Sequence, residues 1–176
     1  SPGSSLMNRL HPSFVFVAIA ALSVVTGCSG SSDSTSGPTE ANPFTGSLIA
    51  DTDPADGATG VDGDATIEVH FNQSVDTPFT MGDSRLFHVL LVQAVITNTD
   101  TGVIFATAND GVWEDDKTFA LSSSTSDPLQ CNANYSIDVK VRVEESKDNG
   151  NTWYKPGFGS LEETKDTTFQ AGSSYC

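Results

Sequence analysis

The stretch YSIDVKVRV, residues 135–143, alternates apolar and polar side chains along its whole length. Because successive side chains of a β-strand point to opposite faces, this pattern predicts a strand with one buried face. The predicted inward residues are Tyr135, Ile137, Val139, Val141 and Val143, and the predicted outward residues are Ser136, Asp138, Lys140 and Arg142. The stretch ATIEVHF (65–71) repeats the pattern, with Ala65, Ile67, Val69 and Phe71 inward.

Other stretches extend the strand pattern. LFHVLLVQAVIT and GVIFATA flank NTDTG, a loop of hairpin length that contains Gly102. KTFAL, TTFQA and the region of SLIAD bring the total to about seven strands, and no helical periodicity is found after the N-terminal leader. We therefore expect an all-β, antiparallel sandwich. Tyr135, at the start of the best strand, is placed like the tyrosine of immunoglobulin-like sandwiches whose hydroxyl bonds to the preceding backbone.

The charge of the chain excludes one class of partner. Eight Lys and Arg residues face 23 Asp and Glu residues, which gives a formal net charge of −15 and a pI of about 4.1. Such a field repels phosphate backbones, so we expect no binding to nucleic acid.

The N-terminus resembles an export signal. From Met7 the sequence reads MNRLHPSFVFVAIAALSVVTGC, with Arg9 as a positive start and an uncharged core of twelve residues, Phe14 to Val25. A helix of that length rises only about 18 Å, too short for a hydrocarbon layer of about 30 Å. The pattern is typical of a secretory signal peptide. Residues 1–6, SPGSSL, fit no part of such a signal.

The signal ends in VTGC, which resembles the lipobox of bacterial lipoproteins. The resemblance implies that residues 1–27 are removed and that Cys28 carries the lipid that anchors the protein in a membrane. The alternative is a buried cysteine in a core helix, but the Ser/Gly-rich sequence after Cys28 offers nothing to pack around it. By the same resemblance, Ser29 favours the outer membrane in an organism that has two membranes.

Residues 28–43 contain almost no side chain that is suited to burial. Such a composition predicts a flexible tether, with a reach of roughly 20 Å. Residues 44–176 then form one domain. The predicted location is the bacterial cell envelope, at the outer membrane or the cell surface.

Two cysteines remain in the domain. Cys131 precedes the strand at 135–143 and Cys176 follows the strand at 167–171. If these strands pair antiparallel, both cysteines lie at the same end of the sheet, and a disulfide between Cys131 and Cys176 is expected in an exported protein. A pair of free thiols or a metal site is the alternative, although no further soft ligand lies nearby in the sequence.

The stretch DTDPADGATGVDGDATIEVHFNQSVD (51–76) resembles the opening of the bacterial Ig-like domains of surface-layer and adhesin-type proteins. The residues that carry the resemblance are Pro54, Asp56, Gly57, Ala58, Val61, Phe71, Ser74 and Val75. The resemblance covers about residues 48–172 and departs at 144–165, where the connection is longer. It implies an immunoglobulin-like sandwich without catalytic residues. The same opening weakly resembles periplasmic copper-resistance carriers, but the histidine ligand that they need at the mature N-terminus is missing here.

Chemical motifs are scarce. GDSRL (82–86) resembles the nucleophile motif of Gly-Asp-Ser esterases, but the only later histidine, His88, lies four residues on, about 13 Å away along a strand. The motif therefore predicts a turn that leads into a strand. His70 and His88 could meet across strands, but two imidazoles without a carboxylate partner are weak evidence for a metal site. The aspartates of residues 51–64 either bind calcium or form turns, and their spacing favours turns. We expect no cofactor and no metal.

The connection EESKDNGNTWYKPGFGS is the most informative surface. Trp153, Tyr154 and Phe158 are candidate partner-binding residues, because loops on a rigid sandwich often carry recognition and aromatic side chains are frequent anchors. The alternative is that they fold back to cover an edge or an end of the sandwich.

Together these features predict a lipid-anchored envelope protein that displays a non-catalytic domain for binding, adhesion or structural spacing. A protein or a polysaccharide would be its ligand. The alternatives are an accessory subunit of an envelope complex, and a hydrolase or carbohydrate-active enzyme with a dispersed site.

Overall fold

The computed structural model describes residues 40–82, 84–121 and 128–174. The predicted signal peptide, Cys28 and Cys176 lie outside the described residues. Ten strands are present in the described part of the chain: β1 (Ile49–Asp53), β2 (Ala58–Val61), β3 (Ile67–Phe71), β4 (Phe79–Met81), β5 (Arg85–Asn98), β6 (Val103–Thr107), β7 (Val112–Trp113), β8 (Thr118–Leu121), β9 (Asn134–Ser146) and β10 (Glu162–Ala171).

The strands form two sheets that pack face to face. One sheet has four strands in the order β1-β3-β8-β7. The other has the order β2-β10-β9-β5-β4, and β6 pairs with the second half of β5. All pairings between the named strands are antiparallel except that of β2 with β10, which is parallel. The chain crosses from the four-stranded to the six-stranded sheet around Pro54, between β1 and β2. This arrangement confirms the expected immunoglobulin-like sandwich.

The alternating pattern of β9 gives the core its shape. Tyr135, Ile137, Val139, Val141 and Val143 are all buried, as predicted. They pack between the sheets with the inward side chains of β3 and β5. The pairing of β9 with β10 from Gln170–Asn134 to Glu162–Arg142 is antiparallel, which confirms the prediction for the last two strands.

The tyrosine at the start of β9 is placed as the sequence indicates. Its hydroxyl oxygen accepts a hydrogen bond from the backbone N–H of Gln130 at 2.7 Å. Its ring stacks on Phe169 with the centroids 5.3 Å apart and meets Phe105 edge-on at 5.6 Å. The side chain therefore joins the turn before β9 to β6 and β10.

The strand count is higher than expected. The three short strands β2, β4 and β7 were not predicted, because two to four residues are too few for an alternating pattern to be visible. β9 and β10 are also longer than their apolar patterns. The connection between them therefore spans only residues 147–161. After β6, residues 108–110 form a single 3₁₀ turn, and no helix in the described residues is long and apolar enough to cross a membrane.

The free edge of β1 is covered by side chains from the opposite sheet. The carboxylate of Glu163 on β10 accepts hydrogen bonds from the backbone N–H groups of Leu48 at 2.6 Å and Ile49 at 3.2 Å. The ammonium of Lys165 donates to the carbonyl oxygen of Ala50 at 2.7 Å. Because these bonds occupy the backbone groups that another strand would need, they protect this edge from pairing.

Candidate functional site

The described chain begins at one end of the sandwich, which we call the near end. Here the guanidinium of Arg85 contacts the carboxylate of Glu40 at 2.5 Å and donates a hydrogen bond to the carbonyl oxygen of Ala41 at 3.0 Å. Phe44 then enters the core and meets the ring of Phe87 at 5.2 Å. The last residues of the predicted tether are therefore in contact with the domain, and the chain joins it at this end.

A buried carboxylate organises the near end. Glu145 is only 2% exposed because it occupies an inward position of β9. Its carboxylate lies 3.6 Å from the guanidinium of Arg85 and accepts a hydrogen bond from the backbone N–H of Gly157 at 2.9 Å. Arg85 also lies over the ring of Phe87, with 5.0 Å to the centroid. This network attaches the connection 147–161 to the end of the core.

The connection folds back on β9. The backbone N–H and carbonyl groups of Tyr154 and Glu145 bond to each other in both directions at 2.9 Å, as in an antiparallel bridge. The segment DNGN (148–151) forms a tight turn, with positive φ angles at Asn149 and Gly150. The hydroxyl oxygen of Ser146 accepts from the N–H of Gly150 at 2.8 Å, which holds the turn against the strand.

The three candidate aromatic residues of this connection occupy different environments. Phe158 packs near the core and lies 6.2 Å from the ring of Phe87. Trp153 lies against His88 on the outer face of the six-stranded sheet, with the ring centroids 5.1 Å apart. Tyr154 has 52% of its surface exposed. Two of the three side chains therefore cover the sandwich, and Tyr154 remains available for contact.

A shallow groove of about 240 Å³ lies beside this connection. Its charged groups are mostly paired: Arg142 bonds Glu144 at 2.8 Å, and Glu162 bonds the neighbouring Lys140 at 2.8 Å. Lys155 also lines the groove. Because the positive and negative groups of this lining neutralise each other, the groove favours neither a cationic nor an anionic ligand.

The opposite end, which we call the far end, carries turns 99–102 and 128–134. Asn98, at the end of β5, is buried, and its side-chain oxygen accepts from the N–H groups of Asp100 at 3.0 Å and Thr101 at 3.1 Å. Asp100 in turn accepts from the backbone N–H of Asn134 at 2.8 Å, and its bonds with Asn134 lower its pKa. Neutral amides and one exposed carboxylate therefore fix these turns.

β6 starts at the far end and leaves an apolar surface exposed. Val103 is 61% exposed and Ile104 is 60% exposed. Beside them is a pocket of about 160 Å³ that is also lined by Phe105, Pro128 and Tyr135. The sequence interpretation did not single out this surface, although a run without charge at residues 101–109 of such an acidic chain was a visible signal.

The family of this sandwich follows from a comparison of sequences. The profile of the bacterial Ig-like domain matches residues 45–158, which is more than half of the chain. The chain belongs to the bacterial Ig-like domain family. The matched residues include the stretch 51–76 that carries the resemblance. β10 lies beyond the matched residues, yet it completes the six-stranded sheet of this Ig-like domain.

Comparisons with individual proteins add little to this assignment. No match is found among the curated proteins. Among solved structures, the chain is similar to CopC from Methylosinus trichosporium OB3b, with a TM-score of 0.43 and 13% sequence identity. The similarity covers 73% of this chain and 96% of that chain.

The histidines of the Ig-like domain do not meet. His70 is on β3 of the four-stranded sheet, whereas His88 is on β5 of the six-stranded sheet. Nδ1 of His70 lies 2.5 Å from a carboxylate oxygen of Asp51, and this bond raises the pKa of His70, with a smaller contribution from Glu68. Nε2 of His88 is buried and has no hydrogen-bond partner among the described residues.

The described residues of the esterase-like motif that precede β5, Gly82 and Ser84, lie in a turn, as predicted, and the N–H of Ser84 donates to the carbonyl oxygen of Gly82 at 2.7 Å. Ser84 has a φ angle of 65° and directly precedes β5. His88 lies further along the same strand, on the outer face beside Trp153. The serine and the imidazole are therefore held apart by the extended backbone, because each residue of a strand adds about 3.3 Å.

Several aspartates of residues 51–64 take part in turns or in contacts between segments. Asp56 accepts hydrogen bonds from the backbone N–H of Thr168 at 2.8 Å and from its hydroxyl, which lower the pKa of Asp56. Asp62 accepts from the hydroxyl of Ser174 at 3.3 Å. Within the described residues, no group of three or more His, Cys, Asp or Glu side chains is arranged to hold a metal ion.

The disulfide stays a prediction, because Cys176 lies outside the described residues. The backbone around Cys131 is nevertheless close to the C-terminal segment. The N–H of Asn132 donates to the carbonyl oxygen of Gly172 at 3.2 Å, and the N–H of Ala171 donates to that of Ala133 at 2.9 Å. Residue 131 therefore starts a turn that runs beside the segment leading to residue 176.

Proposed function

We propose that the protein is a lipid-anchored component of the bacterial cell envelope that displays its Ig-like domain for binding, adhesion or structural spacing. The observation that carries the proposal is the family match at residues 45–158. It begins directly after the predicted tether, which is compatible with a predicted lipid-bearing Cys28, a predicted tether and the domain in that order.

The geometry of the near end supports this arrangement. Because Glu40 and Ala41 contact Arg85, the tether joins the domain at the near end. A membrane anchor on Cys28 would therefore be connected to the domain at the near end. The far end, which lies opposite this attachment point, would stay accessible to partners.

The role is proposed to be non-catalytic. Ser84 and His88 are the side chains closest to a nucleophile and base pair in the sequence, but Ser84 lies in the turn before β5 and His88 lies further along that strand. Three of the charged groups that line the groove, Arg142, Glu144 and Glu162, are engaged in ion pairs. Binding needs only an accessible surface, which the rigid sandwich provides.

Membrane fractionation of the producing cells tests the anchor. The Cys28→Ala variant lacks the thiol that would accept the lipid. We therefore expect it to be released from the membrane fraction and to incorporate no labelled fatty acid. Two acyl chains hold a protein stably at a bilayer, whereas a protein without an acyl chain makes only weak contacts with it. The Ser29→Ala variant, which retains the thiol, is the matched control and should be labelled like the wild type. Equal labelling of the Cys28→Ala variant would overturn the proposal.

A further inference from the structure

We infer that β6 at the far end is a docking site for an extended polypeptide strand with an aliphatic centre and basic ends. The strand would add to the six-stranded sheet beside β6. Its backbone would supply hydrogen bonds to the edge, and one of its side chains would fill the pocket beside Tyr135. This inference rests on the proposed binding role and names its ligand, but it does not depend on the lipid anchor.

The edge of β6 differs from the other edges of the sandwich. The β1 edge is covered by Glu163 and Lys165. β2 is also an edge strand, but it has only four residues, and Gly60 within it has a positive φ angle of 74°. β4 has three residues and β7 has two, so these three edges offer little length for pairing. β6 has five residues and pairs with β5 alone within the described residues. It carries no charged side chain, proline or covering segment among those residues, and these are the usual protections of an edge strand.

The adjacent pocket has the size of a side chain. Its volume of about 160 Å³ is well below the range of about 300–1,000 Å³ that is typical of small-molecule sites. A cavity of about 150 Å³ accommodates one benzene molecule, so this pocket fits a single aliphatic or aromatic side chain. Ile104 and Phe105 line the pocket and also belong to β6. A free edge next to a side-chain pocket is the combination that domains use to bind peptides by strand addition.

The charge around this site selects the partner. The segments 51–84, 86–116 and 118–139 of the sequence contain no lysine or arginine. Asp100 and Asp110 stand before and after β6, and hydrogen bonds to both carboxylates lower their pKa values, so both are negative at neutral pH. Lysine or arginine at the two ends of an incoming strand would complement these charges.

The same charges oppose pairing between two copies of the chain. In an antiparallel pair of β6 strands, Val103 would face Thr107 of the second copy. The carboxylate of Asp100 would then approach that of Asp110 at both ends of the pair. Like charges placed opposite each other destabilise a sheet, and the net charge of −15 adds to the repulsion. The charge pattern therefore favours a different, basic polypeptide.

Peptide binding to the purified full chain in detergent tests the inference. The probe is a short synthetic peptide in which valine and threonine alternate and each end carries a lysine. We expect saturable binding that weakens as the salt concentration rises. A peptide with glutamate in place of both lysines should bind about tenfold or more weakly, because it faces Asp100 and Asp110.

Two variants with the same chemical change locate the site. Val103→Lys places a charge on the β6 edge and should weaken binding about tenfold or more. Val112→Lys, at 58% exposure on β7, adds the same charge at a similarly exposed valine and should leave binding within about twofold. Thermal melts of both variants check that the fold is intact, and Ile104→Lys replaces Val103→Lys if that variant is unfolded.

Each result decides the matter. Equal weakening by Val103→Lys and Val112→Lys, equal binding of the lysine and glutamate peptides, or no binding of either peptide would overturn the inference. A dimer of the wild-type chain that is lost in Val103→Lys would instead assign the edge to a second copy. Because no membrane is required, these outcomes are separate from the fatty-acid labelling of Cys28.

Discussion

At the near end, the buried carboxylate of Glu145 and the guanidinium of Arg85 hold the connection 147–161 against the core, whereas at the far end the hydroxyl of Tyr135 and the amide of Asn98 hold the turns. The near end uses charged groups that are partly withdrawn from water. The far end uses neutral groups and the exposed carboxylate of Asp100. The same sandwich is therefore closed by two different kinds of interaction.

The difference has consequences for stability and for binding. A buried ion pair is costly to break, because the remaining charge stays unpaired in a poor solvent. A neutral hydrogen bond contributes less, about 1 kcal/mol. We therefore expect the stability of the near end to depend on Arg85, which is the cation beside the buried carboxylate of Glu145. We therefore expect the far end to tolerate the loss of a single hydrogen bond, and it leaves the apolar residues Val103 and Ile104 of β6 exposed.

The largest effect is expected from Arg85→Met. The substitution removes the cation beside Glu145, and we expect the free energy of unfolding to fall by about 3 kcal/mol, as measured by chemical denaturation. The matched control is Lys140→Met, which breaks the exposed pair with Glu162 and should cost less than about 1 kcal/mol. Equal losses for the two variants would show that burial of the near-end pair is unimportant.

An intermediate effect is expected from Tyr135→Phe at the far end. The change removes the hydrogen bond from the N–H of Gln130 and leaves the stacking on Phe169 in place, so the free energy of unfolding should fall by about 1–2 kcal/mol. Tyr154→Phe makes the same change at an exposed side chain and should leave the melting temperature unaltered. A larger loss for Tyr135→Phe than for Arg85→Met would reverse the comparison of the two ends.

The smallest effect is expected from Asp138→Asn, on the outer face of the six-stranded sheet. Asp138 lies opposite Asp166, and partial burial together with the neighbouring carboxylate raises the pKa of Asp138 above 3.8. The folded state therefore holds this proton more tightly, and stability falls as the pH rises from 3.8 through the raised pKa. Asp138→Asn should raise the melting temperature at neutral pH and have no such benefit below about pH 3.8.

Asp100→Asn should have the opposite effect on the melting temperature at neutral pH. Bonds from Asn134 lower the pKa of Asp100, so its ionised form stabilises the fold at neutral pH and loses that contribution as the pH falls through the lowered pKa. The substitution should lower the melting temperature at neutral pH. If Asp100→Asn and Asp138→Asn changed the melting temperature at neutral pH in the same direction, the opposite pKa shifts assigned to these two carboxylates would be wrong.

Much of the fold was predictable from local patterns. The alternation at 65–71 and 135–143 identified the buried faces of β3 and β9, because the period of two in a strand is a local property. Tyr135 was recognisable from its position after a turn-rich segment. β4 and β7 were not predictable, because so short a strand exists only through its partner.

The surfaces were harder to predict than the core. The aromatic residues of the connection drew attention as binding residues, but Phe158 and Trp153 pack on the domain. The sequence could not distinguish an exposed aromatic ring from one that folds back, since both occur in polar loops. The burial of Glu145 was likewise not predictable from the sequence, because a glutamate near the end of a strand is usually exposed. Only its contacts with Arg85 and Gly157 explain why it is buried.

By itself, the sequence determined that this chain is an acidic β-sandwich, because alternation and turn residues act over a few neighbours, and the resemblance at residues 51–76 indicated the bacterial Ig-like family. Only the tertiary structure decided which edges are covered, that Glu145 is buried beside Arg85, and that Val103 and Ile104 are exposed at the far end. Those properties depend on residues that are far apart in the chain and meet only when the two sheets pack.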